Sequence, residues 1–284
     1  VHLNLLHPHG ESATEIPVAT TRVGSADQKV PHLSRRFAGK LPAVDSRYLR
    51  PTALLDFDNP RLREIVARHD WETVPTHERI GAVYDFVRDE IPFGYNSSDD
   101  LPASAVLADG YGQCNTKTTL LMALLRGSGV GCRLHGATID KELQHGVMVR
   151  PLYWFAPASI IHTWAEVLVG GRWVGLEGVI LDAAYLSGVR AHTGCSGPFL
   201  GYGVGTDNLA DPPVEWRGTD TVVQATGIDQ EFGVYDDPDS FYRAHGVNAR
   251  GLKGWLYSQV MRKAMNRRVA RIRAEADRAL SRRY

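Results

Sequence analysis

Cys114 is the side chain in this sequence best placed to do chemistry. It follows the turn Asp109-Gly110-Tyr111-Gly112-Gln113 and opens a leucine-rich run whose apolar residues recur nearly all round a helix. The first turn of a helix leaves backbone N–H groups without partners, and the positive end of the helix dipole lies there. Both favour a thiolate, and the Cys114 N–H is a ready donor to an oxyanion. Gly110 and Gly112 let the backbone come close to a substrate. Gln113, beside the nucleophile, adds a side-chain amide that can assist the oxyanion. A thiolate needs an imidazole to hold a proton and return it to a leaving group. His162, at the head of His162-Thr163-Trp164-Ala165-Glu166-Val167, is the candidate, and His145 in Gln144-His145-Gly146 competes for the role. A carboxylate then orients the ring. Glu177, ending Trp173-Val174-Gly175-Leu176-Glu177, is the first candidate and Asp182 the reserve.

The elements that must position these groups follow from pattern and punctuation. Gly170-Gly171 between two strand-like runs signals a two-residue hairpin that pairs 169 with 172. Continued outward, that register sets His162 near position 179, with Glu177 within diagonal reach. Strict alternation would put 162 and 177 on opposite faces, so the strand has to bend or bulge near its end. Asn59-Pro60 starts a helix over 61–69, and the period of Ile80, Val83, Tyr84 and Val87 predicts another over 76–90. Strands are expected at 131–139, 146–151, 160–169 and 172–176. Gly, Pro, Asp and Thr make 192–237 mostly loop, a short helix is expected at Phe241-Tyr242-Arg243, and the apolar spacing of Leu252, Trp255, Leu256, Val260, Met265, Val269 and Ile272 predicts a helical tail. The division expected is an arm at 1–50, a catalytic core at 51–190, a loop-rich extension at 191–247 and a basic helix at 248–284.

Two blocks of the chain, taken together, resemble the transglutaminase-like superfamily of papain-related cysteine enzymes. The first is Gly112-Gln113-Cys114 heading a helix that ends Ala123-Leu124-Leu125-Arg126-Gly127-Ser128-Gly129-Val130, followed by Cys132-Arg133-Leu134. The second is His162-Thr163-Trp164-Ala165-Glu166-Val167 with Gly171-Arg172-Trp173-Val174-Gly175-Leu176-Glu177. The order Cys, His, acid is the family's. The resemblance covers roughly 60–185 and implies an α+β fold in which the nucleophile helix packs on an antiparallel sheet carrying His162 and the acid. It implies oxyanion or substrate contacts from the extended piece before the cysteine turn, here Tyr95 and Asn96. The family usually has Asp where this chain has Glu177, and many members have Trp where this chain has Asn115. Those departures argue against protein cross-linking. They leave hydrolysis of a peptide or small-molecule amide through a Cys-His-Glu triad, with an amide-forming acyl transferase as the alternative and a non-catalytic binding module as a third reading.

Composition narrows the setting. The 284 residues balance 32 Lys+Arg against 32 Asp+Glu, so no global field points to nucleic acid or membrane. The balance is global and not local: 248–284 holds 11 basic and 2 acidic residues, leaving 21 and 30 elsewhere. The tail therefore docks on the acidic body, binds an acidic partner, or lies on a membrane surface. Its few aromatics disfavour single-stranded nucleic acid. Three cysteines, Cys114, Cys132 and Cys195, make no disulfide framework and suggest a reducing, cytoplasmic setting. His192 and Cys195 lack further ligands for zinc, and Gly201-Tyr202-Gly203-Val204-Gly205 lacks the strand-then-helix context of a phosphate loop. Neither a metal nor a cofactor is expected.

Overall fold

The local rules at each helix start explain the first layer. In the structure, a computed structural model, residues 45–148, 153–154, 157–248, 251, 254 and 257–281 are described, all of them within the unit Lys40–Tyr284. The expected arm therefore lies outside the described residues except for its last few. Helix α1, Pro60–Arg68, is capped by Asn59, whose side chain accepts from the Arg61 N–H, and it buries Leu62 and Val66. Helix α2, Thr76–Asp85, runs on into a π-turn, Phe86–Glu90, so that Ile80, Val83, Tyr84 and Val87 share the interior. A third helix, α3, Ala103–Asp109, was not anticipated. Seven residues are too few to show a period, yet Ala103 and Val106 are buried and Gly110, at φ +71°, ends it.

Helix α4, Cys114–Gly127, is the hub: every residue from Cys114 through Arg126 is buried. It leads through Gly129, at φ +83°, into the sheet strands β1, Cys132–Asp140, β2, Ser159–Val169, and β3, Arg172–Gly175. Gly170 and Gly171 both take positive φ, as a type I′ two-residue hairpin requires, and the register pairs 169 with 172 and 166 with 175 as expected. The expected strand at 146–151 is not formed where it is described. There the Val147 and Met148 N–H groups both bond to the Gln144 carbonyl, and Gly146 at φ +86° bends the chain into a turn; 149–152 lie outside the described residues.

Beyond the third strand come α5, Ala183–Thr193, the hairpin β4, Phe199–Gly201, with β5, Val204–Thr206, and the strand β6, Ile228–Tyr235. The main sheet has the order β3-β2-β1-β6 and is antiparallel throughout, so the loop-rich stretch supplies an edge strand of the same sheet that carries His162. Helices α6, Pro238–His245, and α7, Arg262–Ser281, follow. The fold class is the expected α+β arrangement, with a nucleophile helix against an antiparallel sheet.

The basic tail docks on the body. Met265, Val269, Ile272 and Ala276 make one buried stripe of α7 against α5; Leu252, Trp255 and Leu256 of the expected stripe lie outside the described residues. The two helices approach closely because position 188 is glycine: a Cβ there would sit 2.1 Å from the Ile272 carbonyl oxygen. Gly188→Ala must push backbone away from backbone, and the expected cost is about 1–3 kcal/mol. A urea midpoint unchanged by this substitution would show that the helices do not meet here.

Candidate active site

Cys114 takes the first helical position of α4. Gln113 ahead of it is extended, and its N–H bonds to the Thr116 hydroxyl at 3.0 Å, which fixes the turn into the helix. Two polar side chains then tie this end of α4 to β2. The Asn115 amide donates to the Ile161 carbonyl (3.1 Å) and accepts from the Thr163 hydroxyl (3.1 Å), and the Thr118 hydroxyl donates to the Thr163 carbonyl (3.0 Å). These contacts bracket His162 and set the spacing between the sulfur and the ring. The signal for them, an Asn directly after the nucleophile, was visible in the sequence only as a missing Trp.

His162 is fully buried and lies opposite Ala137 in the β1–β2 ladder. Its Nε2 meets Glu177 Oε1 at 3.0 Å. The alternation problem is solved by the backbone: β3 ends at Gly175, Leu176 turns to φ −114°, ψ 41°, and Glu177 begins a 3-10 turn that brings its carboxylate back to the ring. The other carboxylate oxygen accepts from the N–H groups of Val223 (2.7 Å) and Gln224 (3.1 Å). Burial alone would suppress the imidazolium, but hydrogen bonding and charge from Cys114 and Glu177 outweigh it and raise the His162 pKa to about 10. Nδ1 is buried with no hydrogen bond formed. The sulfur thus acts on the ring without completing a hydrogen bond to Nδ1, and hydrogen bonds of resting sites commonly tighten around substrate.

Cys114 is 9% exposed and opens on a cavity of about 340 Å³. Phe93, Ile139, Ile160 and Met148 give it apolar walls, and Tyr257, Met261 and Met265 close it from the tail. Gln113 and Tyr95 also line it. Gln113 is partly engaged: its Oε1 accepts from the Asn96 N–H (2.7 Å) and its Nε2 donates to Asp99 (3.1 Å), which leaves one amide N–H. The Tyr95 hydroxyl donates to Gln144. Asn96 does not line the cavity. Its amide donates to Asp109 and the Tyr111 carbonyl and accepts from Thr116, so it braces the turn and offers nothing to a substrate.

The remaining candidates go elsewhere. Asp182 caps α5 through the Tyr185 N–H, accepts from the Phe93 N–H and is bridged twice by Arg273, at 2.6 and 3.1 Å; it does not meet His162. Burial would raise its pKa, but Arg273 and the backbone bond hold it below the usual carboxylate value. His145 lines a different cavity. His135 is held between Glu166 and Glu231. Cys132 is buried, Cys195 is exposed, and His192 pairs with Glu275. Among the described residues no group of three or more His, Cys, Asp or Glu is placed to hold a metal ion, and no helix is long and apolar enough to cross a membrane.

Three residues that sequence reasoning passed over belong to this site. Asp99, buried in the cavity wall, accepts from Gln113, from Asn115 (2.9 Å) and from the backbone N–H of Asn248 (2.9 Å). Asn248 in turn pairs with the backbone of Ile161 (2.7 and 3.3 Å). Gln224 holds Gly203 with its amide N–H and lines the cavity. Lys117, one turn along α4, is fully buried and its pKa falls to about 7, but Nζ donates to the Arg88 carbonyl and does not face the cavity.

Residues 63–178 match the family model of the transglutaminase-like superfamily. This segment resembles a transglutaminase-like core. It contains Cys114, His162 and Glu177 and ends one residue beyond the acid. The side chains that complete the cavity, Gln224, Asn248, Tyr257, Met261 and Met265, lie outside the transglutaminase-like core. Among solved structures, a proposed cysteine protease from Cytophaga hutchinsonii is similar at 15% identity and a TM-score of 0.40, over 70% of this chain and 50% of that one. The chain thus spans half the length of that neighbour. No curated protein matches. The transglutaminase-like core supports a cysteine-based enzyme in general terms, and the reaction has to be argued from the residues.

Proposed function

We propose that the protein hydrolyses an amide or peptide bond through an acyl-enzyme on Cys114, with His162 as acid and base and Glu177 as its orienting carboxylate. The observation that carries this reading is the buried ring of His162, fixed to Glu177 through Nε2 and left with Nδ1 for the thiol. The Cys114 sulfur attacks the carbonyl carbon, and the oxyanion is held by the Cys114 N–H and the unengaged N–H of Gln113. The tetrahedral adduct collapses, the C–N bond breaks, and the amine leaves with the proton from His162 Nδ1. Water then gives a proton to the same nitrogen as it attacks the thioester, which releases the acid and the thiolate. The walls from Phe93, Ile139, Ile160, Met261 and Met265 suit an apolar acyl group.

The apolar walls of the cavity favour one second reading. A thioester shielded from bulk water is better resolved by a bound amine, which would make the same triad an amide-forming acyl transferase.

The test uses the other thiols as controls. Iodoacetamide at neutral pH is expected to alkylate Cys114 faster than the exposed Cys195, read by peptide mass spectrometry, and His162→Ala should reverse that order. Faster labelling of Cys195 in the wild-type protein would sink the triad. Product masses with and without added amines separate hydrolysis from transfer.

A further inference from the structure

Adjoining the Cys114 cavity at Met148 is a second cleft, of about 670 Å³, lined by His145, Tyr153, Trp154, Arg267, Arg268 and Arg271 among others. The two linings share Met148, and Gln144 of one is followed directly by His145 of the other. They also share a helix. Met265 of α7 lines the Cys114 cavity, while Ala264, Arg267, Arg268 and Arg271 line the cleft. The latter four recur at helical spacing and so make a face of their own beside the buried stripe.

The charges of this face differ in their state. Arg268 is anchored, donating to the Gly146 carbonyl at 3.1 Å and meeting His192 at 3.4 Å. Arg267 and Arg271 are exposed, one turn apart, with no acidic partner among the described residues. Two carboxylates of the surrounding elements have other partners: Tyr153 donates to Glu142 and His192 holds Glu275. Trp154 is 79% exposed beside them. A concave site with unpaired guanidinium forks and an open indole is matched to a planar or tetrahedral anion, since arginine binds carboxylate and phosphate oxygens in pairs. The same features explain why the positive excess of the tail was not all used in docking.

We propose that this cleft is the subsite for an anionic group, a carboxylate or a phosphate, carried by the substrate whose acyl group enters the Cys114 cavity. The proposal rests on the thiol reading above only for the link between the two cavities. The anion site itself stands on the cleft alone.

Two measurements keep these parts distinct. The first is calorimetric titration with succinate and with inorganic phosphate, in wild-type protein, Cys114→Ser and the double variant Arg267→Glu/Arg271→Glu. Binding by the first two and loss of at least tenfold in affinity in the third is expected, and the better of the two probes names the anion. No binding of either anion by the wild type, or equal binding by the double variant, overturns the site whatever Cys114 does. The second is alkylation of Cys114 by a series of chloroacetamides whose linkers end in a carboxylate or in its methyl ester. At the best linker length the acid is expected to react about tenfold faster than the ester in wild-type protein, with the preference gone in the double variant and the ester's rate unchanged. Equal rates for acid and ester at every length overturn the link. Failure of both probes to label Cys114 at all counts against the thiol reading instead. Both substitutions fall on exposed side chains, so a far-ultraviolet spectrum matching the wild type is expected.

Discussion

His162→Ala lowers turnover of an amide substrate by about 10⁴-fold or more, Cys114→Ala does the same, and the double variant is little worse than either. The three results belong together because the two groups perform one act. Without the imidazole no group gives the leaving amine its proton, and without the sulfur the imidazole has nothing to serve. Neither of the other histidines weighed for the site is free to stand in: His145 lines the other cleft, and His135, on β1, is held by Glu166 and Glu231. Measurement of kcat for the three variants checks this directly, and additive losses would show that the groups act apart. The same residue gives a pH signature in stability. Its pKa is raised in the fold, from 6.5 to about 10, so its ionised form stabilises the protein fully below pH 6.5 and that contribution fades as pH rises through 10. The gap between wild-type and His162→Ala urea midpoints is therefore expected to narrow from pH 6 to pH 10.

Glu177→Gln is expected to be nearly as severe, by about 10³-fold in kcat, and to destabilise the fold as well. One carboxylate oxygen accepts from His162 and the other from two backbone N–H groups, at Val223 and Gln224. A carboxamide has one acceptor and one donor end. Whichever way it turns, its N–H₂ meets either the ring N–H or those two amides, so a donor faces a donor. Loss of one partner from a buried ion pair costs about 3–5 kcal/mol. The alkaline limb of kcat/KM should also move to lower pH, because the carboxylate no longer favours the imidazolium. Glu177→Asp tests reach: one methylene shorter, the side chain cannot span from the 223–224 backbone to the ring, and partial activity with an altered pH limb is expected. A wild-type profile in Glu177→Gln would remove the carboxylate from the mechanism.

The three central residues were legible because each left a local mark. Cys114 stood at the head of an apolar helix, His162 headed a strand, and Gly170-Gly171 fixed the register that carried Glu177 into range. What the alternation rule could not supply was the turn at Leu176, a backbone choice that sequence spacing does not encode. The second layer was illegible for a different reason. Asp99, Asn115 and Asn248 are far apart in the chain, and each looks like an ordinary loop or helix polar residue until the fold makes them one hydrogen-bonded group. The side chain of Asn96 is bonded to Asp109, Tyr111 and Thr116, partners that spacing along the chain does not reveal. The expected strand at 146 failed because a glycine able to extend is equally able to turn, and here the Gln144 carbonyl captured the two N–H groups beyond it.

The wall formed by Tyr257, Met261 and Met265 has a bearing on when, and not only how, the thiol becomes useful. During synthesis the nucleophile helix and the strand bearing the imidazole emerge from the ribosome well before these side chains do. Until residues past 265 have been threaded out and α7 has settled on α5, the groove beside Cys114 lacks one side. A nascent chain therefore holds its cysteine and histidine without a complete groove beside them until that last helix is in place.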